Sequence, residues 1–178
     1  MEGFGAVELI ITIVFVAFAL LGIYSFFQPA SILSANFSNH IIALHLGREG
    51  MEVVKNIRDN NIRAGRPWSQ GLNACQSGCQ LDYKTGTPVE TPSDALQSYD
   101  SSKFLQVNSD GFYDYNGTSS LYKRKVTITP VQPPVGGGII VPPIIGGDSD
   151  VLKVEVLVTW SYNARSFNFQ TIGYLFKY

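Results

Sequence analysis

Glu8 is a carboxylate set inside an apolar run. From Phe4 to Phe27 the other polar groups are Thr12, Ser25 and the Tyr24 hydroxyl. At mid-membrane such a charge costs about 2.5–3.5 kcal/mol, and less near an interface. A carboxylate kept there calls for a partner, and pairing with a buried cation is the chemistry it can do. The second constellation is Cys75-Gln76-Ser77-Gly78-Cys79. Two thiols alone do not fill a structural zinc site, which needs a full tetrahedral set of ligands. His40 and His45 are too distant in sequence to be assumed co-ligands. In an oxidising compartment the cysteines would close a small disulfide loop, eased by Gly78; a reduced pair or a redox pair are the alternatives.

The remaining candidates carry less. His40 and His45 are five apart, the wrong spacing for one helical face, while His45 and Glu49 are four apart and could touch as an ordinary surface pair. Asp110, Asp114 and Asn116-Gly117 loosely suggest a calcium loop. Phe112 stands where an EF-hand would place a carboxylate, and no terminal Glu follows at the required offset. Lys123-Arg124-Lys125 lies on an expected strand, where adjacent side chains point to opposite faces, so a solvated edge accounts for it better than a basic patch. No set of residues suits catalysis, no metal site and no cofactor is expected, and the glycines at 136–138 sit in a Pro-rich loop rather than after a strand. A net charge of −1 gives no firm indication of nucleic-acid binding.

These residues are positioned by a few elements. The apolar run is long enough to cross a bilayer as a helix, at about 1.5 Å per residue against a core of roughly 30 Å. It is too long for the apolar region of a secretory signal peptide, and no clean cleavage site follows it. Gln28-Pro29 predicts a kink. Helical spacing then resumes through Phe37, Ile41, Leu44, Arg48, Met51 and Lys55 on one row, with Ile42, Leu46, Val53 and Ile57 beside it, a broad apolar stripe interrupted by polar positions and suited to a helix half-covered by a sheet. Gly47 and Gly50 weaken it and suit close approach to a neighbour. Asn60-Asn61, Gly65 and Pro67 end it. Residues 65–100 read as a connecting loop holding the cysteines. Short strands are expected at 104–107 and 112–115, with a turn at 108–111, and longer ones at 121–129, 151–162 and 167–176. Leu152, Val154, Val156, Val158 and Trp160 share one face of the clearest strand. Residues 130–147 hold four Pro–Gly-rich clusters and read as an exposed loop with apolar tips, either a contact surface or a linker within the hairpin.

Gly3-Phe4-Gly5-Ala6-Val7-Glu8, running into Leu9-Ile10-Ile11, resembles the N-terminus of type IV pilins and type II secretion pseudopilins. Residues 49–60 also look like minor-pilin-like proteins. The resemblance implies cleavage between Gly3 and Phe4 by a prepilin peptidase, with methylation of the new amino terminus. Glu8 then becomes the assembly charge that meets the Phe4 ammonium of a neighbouring subunit. The leader carries Glu2 where family leaders carry Lys or Arg, and Gly5 supplies no hydroxyl at the second mature position.

The architecture expected is α+β: a long kinked N-terminal helix, transmembrane in its first half, packed against a C-terminal antiparallel β-sheet in the manner of pilins. Residues 1–3 are a short leader, 4–28 a transmembrane or filament-core helix, 29–61 its amphipathic continuation, and 62–178 an extracytoplasmic β-rich head with the Pro/Gly loop at 130–147. The function expected is that of a non-enzymatic minor pilin or pseudopilin. Its partners would be other pilin subunits, the prepilin peptidase, an inner-membrane assembly platform and the lipid bilayer. A single-pass anchored binding module is the alternative.

Overall fold

The structure, a computed structural model, describes residues 5–86, 96–131 and 150–177, without the side chains of 26, 28–32 and 35. Gly3, Phe4 and nearly all of the 130–147 loop lie outside the described residues, as do the side chains around the expected kink at Pro29. The chain divides into two compact units, Met1–Ile41 and Ile42–Tyr178.

Helix α1 covers Ala6–Arg63. Over Ala6–Ser25 it is predominantly apolar and its side chains are exposed, Val7 at 72% and Phe18 at 69%. Residues 42–63 belong to the second unit and are striped instead. Ala43, Leu46, Val53, Val54 and Ile57 are buried, while Arg48, Glu52 and Asp59 face solvent. The helix stops at a glycine in the left-handed region: Gly65 has φ +67°. Its N–H donates to Ile62 O at 3.0 Å and the Arg66 N–H to Asn61 O at 2.9 Å. This is the Schellman arrangement, which satisfies carbonyls that a helix end otherwise leaves bare. Asn61 then fixes the exit of the chain, its buried amide donating to Trp68 O at 3.2 Å and Gln70 O at 2.9 Å.

The main sheet is five-stranded and antiparallel. Its strands are β1 (Cys79–Gln80), β2 (Gln97–Ser98), β6 (Tyr122–Pro130), β7 (Val151–Tyr162) and β8 (Arg165–Phe176), in the order β2-β1-β6-β7-β8. A smaller sheet of β3 (Gln106–Val107), β4 (Tyr113–Asp114) and β5 (Thr118–Ser119) has the order β4-β3-β5. The meander expected from the alternating sequence is β6-β7-β8. Strands β1 and β2 fall within the stretch read as loop, as does a 3-10 turn at Asn73–Cys75. Strand β8 begins two residues before the expected Phe167. The reason is a two-residue turn at Asn163 and Ala164, with φ 49° and 60°, which matches the twist of paired strands.

The inner face of β7 carries Leu152, Val154, Val156, Val158 and Trp160, all buried. It packs with residues 42–63 of α1 in two adjoining clusters, one around Val54 and Ile57, the other around Ala43, Leu46 and Trp160. Glycines let backbone and sheet approach. A Cβ on Gly50 would lie 3.0 Å from Val156 Cγ1, and one on Gly47 2.9 Å from Phe169 Cε1. The close approach expected of both residues is thus the one observed.

Candidate functional site

Glu8 lies in the first turn of α1. The sequence placed it within the apolar run; the structure puts it in the first turn, where its own N–H and that of Leu9 donate to Gly5 O at 3.0 and 3.3 Å. A carboxylate there is favoured by the helix dipole. The segment Ala6–Ser25, 20 residues long, is long and apolar enough to cross a membrane, and none of it is buried. The polar hydroxyls inside it are tied to the helix itself: Thr12 Oγ1 donates to Leu9 O at 2.9 Å and Ser25 Oγ to Gly22 O at 2.8 Å. Such back-bonding is how a hydroxyl is tolerated in hydrocarbon. Glu8 has no equivalent; its carboxylate makes no hydrogen bond or ion pair among the described residues. The cleavage junction Gly3-Phe4, to which the resemblance links it, lies outside them.

In the second unit a cation lies wholly within the core: Arg124, whose side chain is 0% exposed. The sequence reading of Lys123-Arg124-Lys125 as a solvated edge is corrected here. Strand β6 is interior to the sheet, between β1 and β7. The two-residue repeat of a strand sends the flanking lysines to the outer face and Arg124 into the core. There its guanidinium donates to Leu46 O (3.1 Å), Glu49 Oε1 (3.1 Å) and Leu81 O (2.8 Å). One cation therefore joins α1, β6 and the segment after β1. This also corrects the surface pair of His45 with Glu49: Glu49 turns to Arg124. No sequence pattern separates a core arginine from a surface one, except that Arg124 shares its face with Tyr122, Val126 and Ile128.

Cys75 and Cys79 are joined by a disulfide, with Cα atoms 5.2 Å apart. Both are buried in the larger core cluster, and Gly78 between them has φ +107°. The bridge pins the 3-10 turn to β1, which pairs with β6 at Val126.

The acidic residues of the suspected calcium loop do not converge. Asp114 is buried, and its carboxylate accepts from the Asn116 N–H (2.7 Å), Asn108 Nδ2 (3.1 Å) and Lys84 Nζ (3.3 Å). These donors, the Asn116 N–H first, hold its pKa below the usual carboxylate range. Its lone pairs serve the small sheet, while Asp110 faces solvent. Among the described residues no three His, Cys, Asp or Glu side chains come together as metal ligands. Burial pushes the phenols of Tyr115 and Tyr122 up to about 12, so neither suits proton transfer near neutral pH.

Fold and site together define a class: an α+β protein with an apolar N-terminal helix able to cross a membrane, and an antiparallel sheet packed on the later turns of that helix. Comparison with protein-family models, with curated proteins and with solved structures finds no match.

Proposed function

We propose that this protein is a single-pass membrane-anchored module. Ala6–Ser25 is its anchor, and Ile42–Tyr178 is a non-catalytic head displayed on the extracytoplasmic side. The observation that carries the reading is the contrast within α1. The anchor segment is apolar all round and wholly exposed, which water disfavours and lipid satisfies. The head has its own core and a disulfide, the cross-link of an oxidising compartment. Membrane fractionation tests the anchor, and protease digestion of intact cells tests the side. The full chain resists carbonate extraction and its head is digested from outside. Release of the full chain by carbonate defeats the reading.

A finer reading concerns what the anchor does, and Glu8 favours it. A carboxylate without a partner among the described residues, in the first turn of an apolar helix, suits pairing with an ammonium from another subunit. This is how the resemblance to type IV pilins would operate: cleavage before Phe4 frees an amine, and staggered parallel helices bring Glu8 of one chain to Phe4 of the next. Neutralising two charges that hydrocarbon penalises singly selects the register of a filament. The partners would be further pilin subunits, the prepilin peptidase and an inner-membrane assembly platform. Mass spectrometry of the mature N-terminus separates the readings: methylated Phe4 supports a filament subunit, and an intact Met1 a permanent anchor. Glu8→Val should leave membrane insertion unchanged and reduce incorporation into filaments at least about tenfold, the effect of stranding one buried charge. Normal incorporation of that variant removes the charge-pairing mechanism.

A further inference from the structure

On the outer face of the main sheet, where β6, β7 and β8 run side by side, the strand register sets polar side chains in rows. Lys123 lies opposite Thr159, and Thr159 opposite Asn168. The next row on that face holds Ser161 opposite Ser166, their hydroxyls 3.4 Å apart. With the walls beside them these rows form a cleft of about 360 Å³. The walls are apolar: Phe104, 40% exposed, and Leu121, 47% exposed. A row of three strands spans about 10 Å at the usual strand spacing. The volume is within the lower range of small-molecule sites.

The chemistry of the lining is selective. Thr159 and Asn168 make no side-chain hydrogen bond among the described residues, so their groups are open to a ligand. Hydroxyls and a carboxamide each donate and accept, the pattern that a sugar's hydroxyls complement. The cation is held in place: Lys123 Nζ donates to Ser101 O at 2.6 Å and stands 4.3 Å from the Phe104 ring centroid. An ammonium has further N–H groups to offer. Among the described residues no carboxylate lines the cleft. Asp100, just along the chain from Ser101, is occupied by the Ser102 N–H (2.9 Å) and hydroxyl (2.6 Å). The cleft thus offers one positive charge, several two-way hydrogen-bonding groups and apolar walls for C–H faces.

We infer that this cleft binds a carboxylate-bearing saccharide, such as a uronic-acid glycan. The carboxylate meets Lys123, the ring hydroxyls meet Thr159, Ser161 and Asn168, and the C–H faces lie against Phe104 and Leu121. The inference stands on the head alone and needs neither the anchor nor the filament reading. Its test is an NMR and calorimetric titration of the full chain in lipid nanodiscs with tetragalacturonate. A neutral tetrasaccharide and a single-stranded oligonucleotide serve as comparisons. Tetragalacturonate should bind and shift the amides of residues 159–168, more tightly than either comparison, and the binding should weaken with salt. Lys123→Gln should weaken it about tenfold, the loss of one charge-assisted hydrogen bond. Asn168→Ala sits on a different strand from the lysine and touches no core residue's hydrogen bond, so it serves as the second variant. It should weaken binding about threefold while leaving the unfolding midpoint unchanged. Absence of binding, equal binding of the neutral sugar, tighter binding of the oligonucleotide, or binding indifferent to both substitutions overturns the inference.

Discussion

Within α1, residues 6–25 and residues 42–63 are both rich in apolar side chains, but they solve different problems. The first stretch has no polar face, so its burial must come from outside the chain. The second has a polar face and an apolar stripe, and the stripe is covered by its own sheet. Glycine tells the same story. A Cβ on Gly22 would meet nothing within 4 Å, whereas Cβ atoms on Gly47 and Gly50 would press on Phe169 and Val156. Polar groups differ as well: Arg124 finds three acceptors in the head, and the Glu8 carboxylate finds no donor among the described residues. Hydrophobicity alone therefore does not say where a helix belongs; the angular distribution of its apolar residues does.

The comparison is most sharply tested at Arg124. Arg124→Ala leaves Leu46 O, Leu81 O and Glu49 without their donor and opens a cavity. Removing one member of a buried ionic cluster costs about 3–5 kcal/mol. Both tryptophans, Trp68 and Trp160, are buried in the head, so denaturant unfolding followed by tryptophan fluorescence reads this unit selectively. Phe18→Ala is the control in the stem. It removes a larger apolar group than many core substitutions do, yet the head's midpoint should move by less than about 0.5 kcal/mol, as for a surface change. A large loss from Phe18→Ala, or none from Arg124→Ala, breaks the distinction between the two regions.

The next effect in size belongs to the disulfide. Its loop is short, and the chain-entropy relation assigns such a closure about 2 kcal/mol. Replacing Cys75 and Cys79 together by Ala should lower head stability by about that amount while far-UV helix content stays unchanged. An unaltered midpoint would mean that β1 holds its place beside β6 without the bridge.

Much of this arrangement was legible in the chain. Strand β7 announced itself by strict alternation, and the end of α1 by Asn61, Gly65 and Pro67. The parts that were not legible share a physical reason. Strands β1 and β2 are two residues each, too short for any period to emerge, and they exist because β6 offers an edge to pair with. Arg124 hid between two lysines, although the two-residue repeat had already placed it with Val126 and Ile128. Its inward course depends on acceptors at Leu46 and Leu81, far away in sequence. The rows of the outer-face cleft likewise exist only once the β6-β7-β8 register is fixed. Glu8 was visible from the outset, but its position in the first turn depends on where the helix begins.

Acid separates the two regions with the smallest effect. Asp114 is held by the Asn116 N–H, Asn108 and Lys84, and Asp100 by the Ser102 hydroxyl and N–H; both pKa values are lowered by folding. A depressed carboxylate pKa contributes stability that is present above the unfolded value, about 3.9, and is lost as pH falls through the folded value. The head's unfolding midpoint should thus be flat from neutral pH down to about 4 and decline below it. In Asp114→Asn the decline should be shallower, because only Asp100 of this pair still takes up a proton on unfolding. The amide also keeps an acceptor for the Asn116 N–H, so the variant should stay folded at neutral pH. Stem helicity, measured by far-UV dichroism in micelles, should not follow the same acid limb, since Asp100 and Asp114 both belong to the head. If stem and head instead lose structure together below pH 4, the two are one cooperative unit, and the contrast drawn within α1 fails.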